Sequence, residues 1–245
     1  MSGGLTNTGT ISSTTYGIYM ENNSGISGGL TNTGTIEGKG GTAISLNGLD
    51  ATVPINLNGG RIIGDIIDDA PANGFSVITV GGDFTSESDY TVSDLTVSAG
   101  NNFTIGFGNT VTLNDMSPSA GTITFQVDTT GSFGDLVVTN GDVDLTGATV
   151  AVGVVTGTLT IGDEIQVATG STALTGLSGA LGQTLTTVGD NSAMWSFSIA
   201  DGSQAEITGS ADNTSLFLLV AQGATAEEQA TENNKSAAAV LDTLG

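Results

Sequence analysis

Apolar residues in this chain recur in short runs that alternate with polar ones, and each run closes on Gly, Asn, Asp or Thr. That period-two pattern predicts β-strands rather than helices. The runs also repeat as blocks. Residues 2–11 read SGGLTNTGTI and return unchanged as residues 27–36, a step of 25. A looser third copy follows, with Asn58, Gly60 and Ile62 repeating Asn32, Gly34 and Ile36. Second short strands are expected near Gly17-Ile18 and Ala43-Ile44. Strands this short do not stand alone as hairpins. A non-helical repeat of this length predicts a chain wound into stacked turns, with equivalent residues about 4.8 Å apart along the axis. Ile11, Ile36 and Ile62 are expected to form one internal column, each burial contributing roughly 1.5–3 kcal/mol. Asn7, Asn32 and Asn58 are expected to form a second column at a bend. Stacked amides there can bond along the axis and satisfy the turn backbone. Gly9, Gly34 and Gly60 mark a tight corner or a positive φ.

The rhythm divides the chain into four sections. Residues 1–64 are regular turns of the coil. In residues 65–190 the coil continues with inserted loops, the first expected over 65–76, where Asp65, Asp68, Asp69, Pro71 and Asn73-Gly74 cluster. Alternation resumes in Leu95 and Val97, then in Phe103, Ile105 and Phe107, and then in Val111 and Leu113. Residues 191–223 read as terminal turns or a cap, with Trp195, Phe197 and Ile199 alternating and Leu216–Val220 the most apolar run. Residues 224–245 change character. Thr225 and Glu228 form a capping box ahead of an Ala-rich tract, and Ala237, Val240, Leu241 and Leu244 share one helical face. The fold class expected is therefore all-β: a parallel β-helix (β-solenoid) with a short C-terminal α-helix.

Charge narrows the partners. Twenty-five acidic residues face only Lys39, Arg61 and Lys235, for a net charge of -22. Binding phosphates needs clustered Lys or Arg, so neither nucleic acid nor an anionic lipid surface is an expected partner. No run approaches the length of a membrane-spanning helix. The chain opens inside a repeat, so the natural N-terminus is expected further upstream.

Composition also removes most catalytic chemistry. There is no His and no Cys, which eliminates Ser-His-Asp and Cys-His sites and the usual zinc ligands. A carboxylate pair for glycoside hydrolysis is conceivable in Asp65 with Asp68 or Asp69. Sugar clefts usually display aromatic rings, and here only Trp195, Tyr16, Tyr19 and Tyr90 are available besides Phe. Lyase chemistry on acidic sugars would have to draw on Lys39 or Arg61. Calcium could be offered oxygens by Asp65, Asp68 and Asp69, or by Asp83, Glu87 and Asp89. Neither set has a diagnostic spacing, and a solvated acidic surface is the plainer reading. No catalytic, cofactor-binding or metal-binding residue is assigned on these grounds, and no enzyme activity is expected.

Phe133-Gly134-Asp135-Leu136-Val137-Val138-Thr139, followed by Val143-Asp144-Leu145-Thr146-Gly147-Ala148-Thr149-Val150 and by Gly162-Asp163-Glu164-Ile165-Gln166-Val167, resembles the C-terminal part of an autotransporter passenger domain. The Gly-Thr-Ile repeats look like that family's β-helix turns. Asn233-Asn234 and Ala237–Asp242 look like its linker helix. The resemblance implies a right-handed coil, a folding seed near the outer membrane and a downstream β-barrel as partner. It also implies export through the periplasm to a bacterial cell surface. The function expected is a non-enzymatic stalk or adhesin that meets a receptor on a host or neighbouring cell. A β-helix carbohydrate enzyme or tailspike-like polysaccharide binder, and a self-associating surface protein, are the alternatives.

Overall fold

The computed structural model describes residues 3–21, 26–128, 133–154, 159–172, 174–175, 186–188, 195–200 and 214–223. The chain is a β-solenoid whose strands pair in parallel with strands one turn away, not with their sequence neighbours. Three walls result. The first is built from Leu5–Asn7, Leu30–Asn32, Val53–Asn58, Ser76–Gly82 and Asp94–Val97. The second starts with Thr10–Ser13 on the leading part of Thr35–Asn47 and ends in Phe84–Ser86, Asn102–Ile105, Thr122–Val127 and Thr149–Val154. The third runs from Tyr16–Glu21 through the trailing parts of Thr35–Asn47 and Arg61–Asp68. It continues into Tyr90–Val92, Thr110–Leu113, Asp135–Val138 and Glu164–Thr169.

Inward positions form continuous apolar columns. Ile11 pairs with Ile36 and Ile36 with Ile62, as the repeat predicts. Leu5, Leu30, Ile55, Ile78 and Leu95 stack on the first wall. Ile18, Ile44, Ile66, Tyr90, Val111, Leu136 and Ala168 stack on the third. Small aliphatic residues suffice because each turn is covered by identical geometry above and below. From the second turn onward these residues are closed to solvent. Phe84 and Phe103 add one aromatic step, with ring centroids 6.5 Å apart.

The asparagine ladder is shorter than expected. Asn7 pairs with Asn32, and its Nδ2 donates to Asn32 Oδ1 at 2.8 Å. Asn32, however, stacks on Leu57, and Asn58 is exposed. The third turn carries one residue more between its first and second walls. Leu57 takes the inward position and Asn58 is pushed out at the corner, where the next turn's register also slips. The glycines divide as well. Gly60 has φ +73, whereas Gly34 has no positive φ. Gly34 is needed because a Cβ there would lie 2.1 Å from Gly9 O of the preceding turn.

Residues 65–68 are not loop. They finish the strand Arg61–Asp68, with Ile66 and Asp68 inward, and only Pro71–Asn73 form a short 3-10 turn beyond it. A carboxylate can sit inward because two serines meet it. Phe107 departs from the predicted alternation, turning outward past the end of Asn102–Ile105. The coil does not stay parallel to its end. Ser215–Gln222 pairs antiparallel with Glu164–Thr169 and with Trp195–Ala200. Leu216, Leu218 and Val220 thereby bury themselves against the last turn, and Trp195–Ala200 becomes the outermost strand of this sheet among the described residues. The expected C-terminal helix lies outside the described residues.

Candidate functional site

Chemistry on this solenoid concentrates at the corners, where acidic side chains meet backbone N–H groups of adjacent turns. Asp65 Oδ1 accepts from Asp89 N at 3.3 Å, and Asp89 Oδ1 accepts from Thr110 N at 2.7 Å. Asp69 Oδ1 accepts from Gly48 N at 2.9 Å, and Asp83 Oδ1 accepts from Asn102 N at 2.9 Å. Asp94 receives both Ser117 N and Ser117 Oγ, at 2.7 and 2.5 Å. A solenoid corner interrupts the ladder and leaves N–H donors without carbonyls. With almost no Lys or Arg to pair with, the acids serve as inter-turn braces. Sequence reading missed this role. Its only signal was an Asp placed about one turn from a corner residue.

Asp68 occupies a different environment. It is 3% exposed, accepts Ser76 Oγ at 2.5 Å and Ser93 Oγ at 3.5 Å through Oδ2, and takes Ala70 N at 2.9 Å on Oδ1. Ser76 and Ser93 stand one turn apart, and their hydroxyls are 3.0 Å from each other. Each also accepts a backbone N–H from the other residue. The cluster is closed and internally satisfied. It anchors the 3-10 turn that follows.

The candidate acid sets therefore do not assemble. Asp65, Asp68 and Asp69 point to separate partners, as do Asp83, Glu87 and Asp89. Among the described residues no three His, Cys, Asp or Glu side chains are grouped so as to hold a metal ion. Lys39 is exposed on the coil. Arg61 is bound to Glu87 through Nε and Nη2 at 2.9 and 2.5 Å. This bond holds the Glu87 carboxyl below the usual range. Burial raises Asp65, opposed by the Asp89 N–H and reinforced by the Asp89 charge. Burial likewise raises Asp135, whose Oδ1 is enclosed without a hydrogen-bond partner.

Two of the four candidate sugar-stacking rings are inside. Tyr90 is fully buried in the third-wall column, and Trp195 is partly buried against the core. Tyr16 and Tyr19 are outside. Their rings stack 5.1 Å apart at 21° on the first turn of the third wall. Tyr19 begins an outward column of Ser45, Ile67, Thr91, Thr112, Val137 and Thr169, one residue per turn.

One shallow recess of about 250 Å³ lies beside the Arg61–Glu87 pair, lined by Thr85, Ser86, Glu87, Gly106, Phe107, Asn109 and Gln126. Its polar atoms are largely engaged. Asn109 Nδ2 donates to Ser86 O at 2.9 Å, and Gln126 Oε1 accepts Phe107 N at 3.3 Å. Its one carboxylate is tied to Arg61. This arrangement offers neither a raised carboxylic acid nor a second carboxylate beside it, so the recess lacks the elements of glycosidic cleavage. Among the described residues no helix is long and apolar enough to cross a membrane. The chain matches no protein-family model, no curated protein and no solved structure.

Proposed function

We propose that this chain is a non-enzymatic passenger segment of an autotransporter, a rigid spacer and adhesive surface carried on a bacterial cell. In this reading the coil is right-handed. The last turns act as the folding seed, and residues 224–245 form the helix leading to an outer-membrane β-barrel. The observation that carries the proposal is the use made of the acids: the corner carboxylates named above brace neighbouring turns instead of facing a cleft. What remains free is the outside of the walls. The third wall offers the most regular face, with β-branched and small residues in file and the Tyr16–Tyr19 pair at one end. A regular wall topped by threonine, serine and a few apolar side chains suits broad low-chemistry contact rather than turnover.

The test is adhesion set against turnover. Beads coated with the purified chain should be retained on cultured cell monolayers above albumin-coated beads, and Tyr16→Ser with Tyr19→Ser should reduce retention. A polysaccharide panel incubated with the same protein should yield no new reducing ends. Appearance of reducing ends would replace this reading with the carbohydrate-enzyme alternative. Retention no better than albumin would remove the adhesive role and leave that of a spacer.

A further inference from the structure

The exact repeat allows the first turn to be compared with the second residue by residue, and the comparison isolates positions whose identity nothing around them explains. At Gly34 a Cβ would fall 2.1 Å from Gly9 O, and at Gly60 it would fall 2.2 Å from Gly34 O. At Gly28 it would fall 2.4 Å from Gly4 N. In each case the preceding turn's backbone forbids a side chain, and backbone cannot move aside as a side-chain tip can. Gly9 and Gly3 are the counterparts of Gly34 and Gly28 one turn earlier, yet a Cβ at either meets nothing within 4 Å. Neither has a positive φ. Among the described residues neither conformation nor contact requires glycine at these two places.

The rest of the first turn is unfinished in the same direction. Leu5, Ile11 and Ile18 are only partly buried, whereas Leu30, Ile36 and Ile44 beneath them are closed to solvent. Asn7 Nδ2 donates down to Asn32 Oδ1 and to Thr35 O, and among the described residues its Oδ1 receives Gly9 N alone, at 3.3 Å. A second Nδ2 arriving from above would use that oxygen as Asn7 uses Asn32. Among the described strands, Leu5–Asn7, Thr10–Ser13 and Tyr16–Glu21 each pair on one side alone.

We infer that this end of the solenoid is a docking face for one more parallel turn of the SGGLTNTGTI type. Gly9 and Gly3 keep the approach clear, Asn7 accepts the incoming amide, and Leu5, Ile11 and Ile18 extend their columns. The occupant is fixed by continuity: the interface it would make already exists between the first and second turns, formed by the same ten residues on both sides. The opposite end of a second copy does not fit. There the third wall finishes in antiparallel strands, which cannot continue a parallel register. The inference does not depend on the proposed function.

The experiment inserts a second copy of residues 2–26 between Met1 and Ser2 and measures thermal unfolding by circular dichroism. A docked extra turn should deepen the β-signal and raise the melting midpoint by several degrees, since each added repeat contributes its own interface. Gly9→Val, numbered as in the unextended chain, should then abolish that rise. In the unextended chain the same substitution should leave the midpoint within about a degree, because its side chain enters open space. An extension that raises nothing and is trimmed by elastase back to the unextended length would overturn the inference. So would a Gly9→Val effect equal in both chains. Sedimentation of the unextended chain at several concentrations covers the remaining case: a Gly9→Val-sensitive dimer would assign the face to a second copy and refute the occupant named here.

Discussion

Single residues here are constrained by the turn before and the turn after more than by their sequence neighbours. Gly34→Ala illustrates this. The new methyl would be driven against Gly9 O, so the turns must separate, and a loss of about 3 kcal/mol in chemical unfolding is expected, at the top of the range for overpacking. Asn32 and Asn58 look equivalent in the repeat but differ in place. Asn32→Ala removes a buried amide and one of the two acceptors of Asn7 Nδ2, the other being Thr35 O, which should cost about 0.5–1.5 kcal/mol. Asn58→Ala, at an exposed corner, should change stability by no more than about 0.5 kcal/mol. Asp135 carries a third prediction. Burial raises its folded-state pKa above the unfolded value, so the folded chain binds the proton more tightly. Its charge therefore costs nothing below the unfolded pKa, and the penalty develops as pH rises through the folded pKa and persists above it. Asp135→Asn should raise the unfolding midpoint at pH 7 and lose its advantage in acid. An equal gain at pH 3 and pH 7 would deny the burial explanation.

At the scale of elements, the corners and the last strands matter most. The Asp68–Ser76–Ser93 cluster replaces apolar packing at one inward position with a closed hydrogen-bond network. Ser76→Ala would strip Asp68 of its shortest bond while the carboxylate stays buried, so a loss of about 1–3 kcal/mol is expected. The strand Ser215–Gln222 has a separate task. Leu218 is fully buried where it covers the end of the third wall. Leu218→Ala should cost about 2–5 kcal/mol, and Leu218→Lys should release the strand and expose an edge, seen as concentration-dependent sedimentation.

The whole molecule behaves as a stack, so stability is shared between neighbouring turns. Truncation after Gly189 would remove the antiparallel strands that close the third wall. The N-terminal repeats are then expected to fail to fold, and recovery of their β-signal in the truncated chain would reject a C-terminal seed. Charge acts globally too. A net charge of -22 repels itself, and the raised carboxyls Asp65 and Asp135 push in the same direction. Glu87 and Asp144 oppose them, held low by Arg61 and by Thr146. Added salt, which screens the repulsion without titrating any group, should raise the midpoint at pH 7.

The amino-acid sequence by itself determined that the chain coils. A ten-residue block repeated at a fixed step can satisfy its backbone only by stacking on its own copy, and the isoleucine column followed from that alone. It also determined what the protein lacks, since residues that are absent cannot be supplied by folding. Only the tertiary structure decided where the register slips. Leu30 to Ile55 keeps the step while Ile36 to Ile62 lengthens it by one, and the extra residue resolves at a corner that ejects Asn58. The destinations of the acids were likewise hidden. A brace needs a carboxylate and an N–H brought together from different turns, and that meeting depends on the length of every turn between them. The antiparallel close of the third wall was invisible for a related reason: alternating strands read the same in either direction, and only the packing of Leu216, Leu218 and Val220 onto the last turn chooses between them.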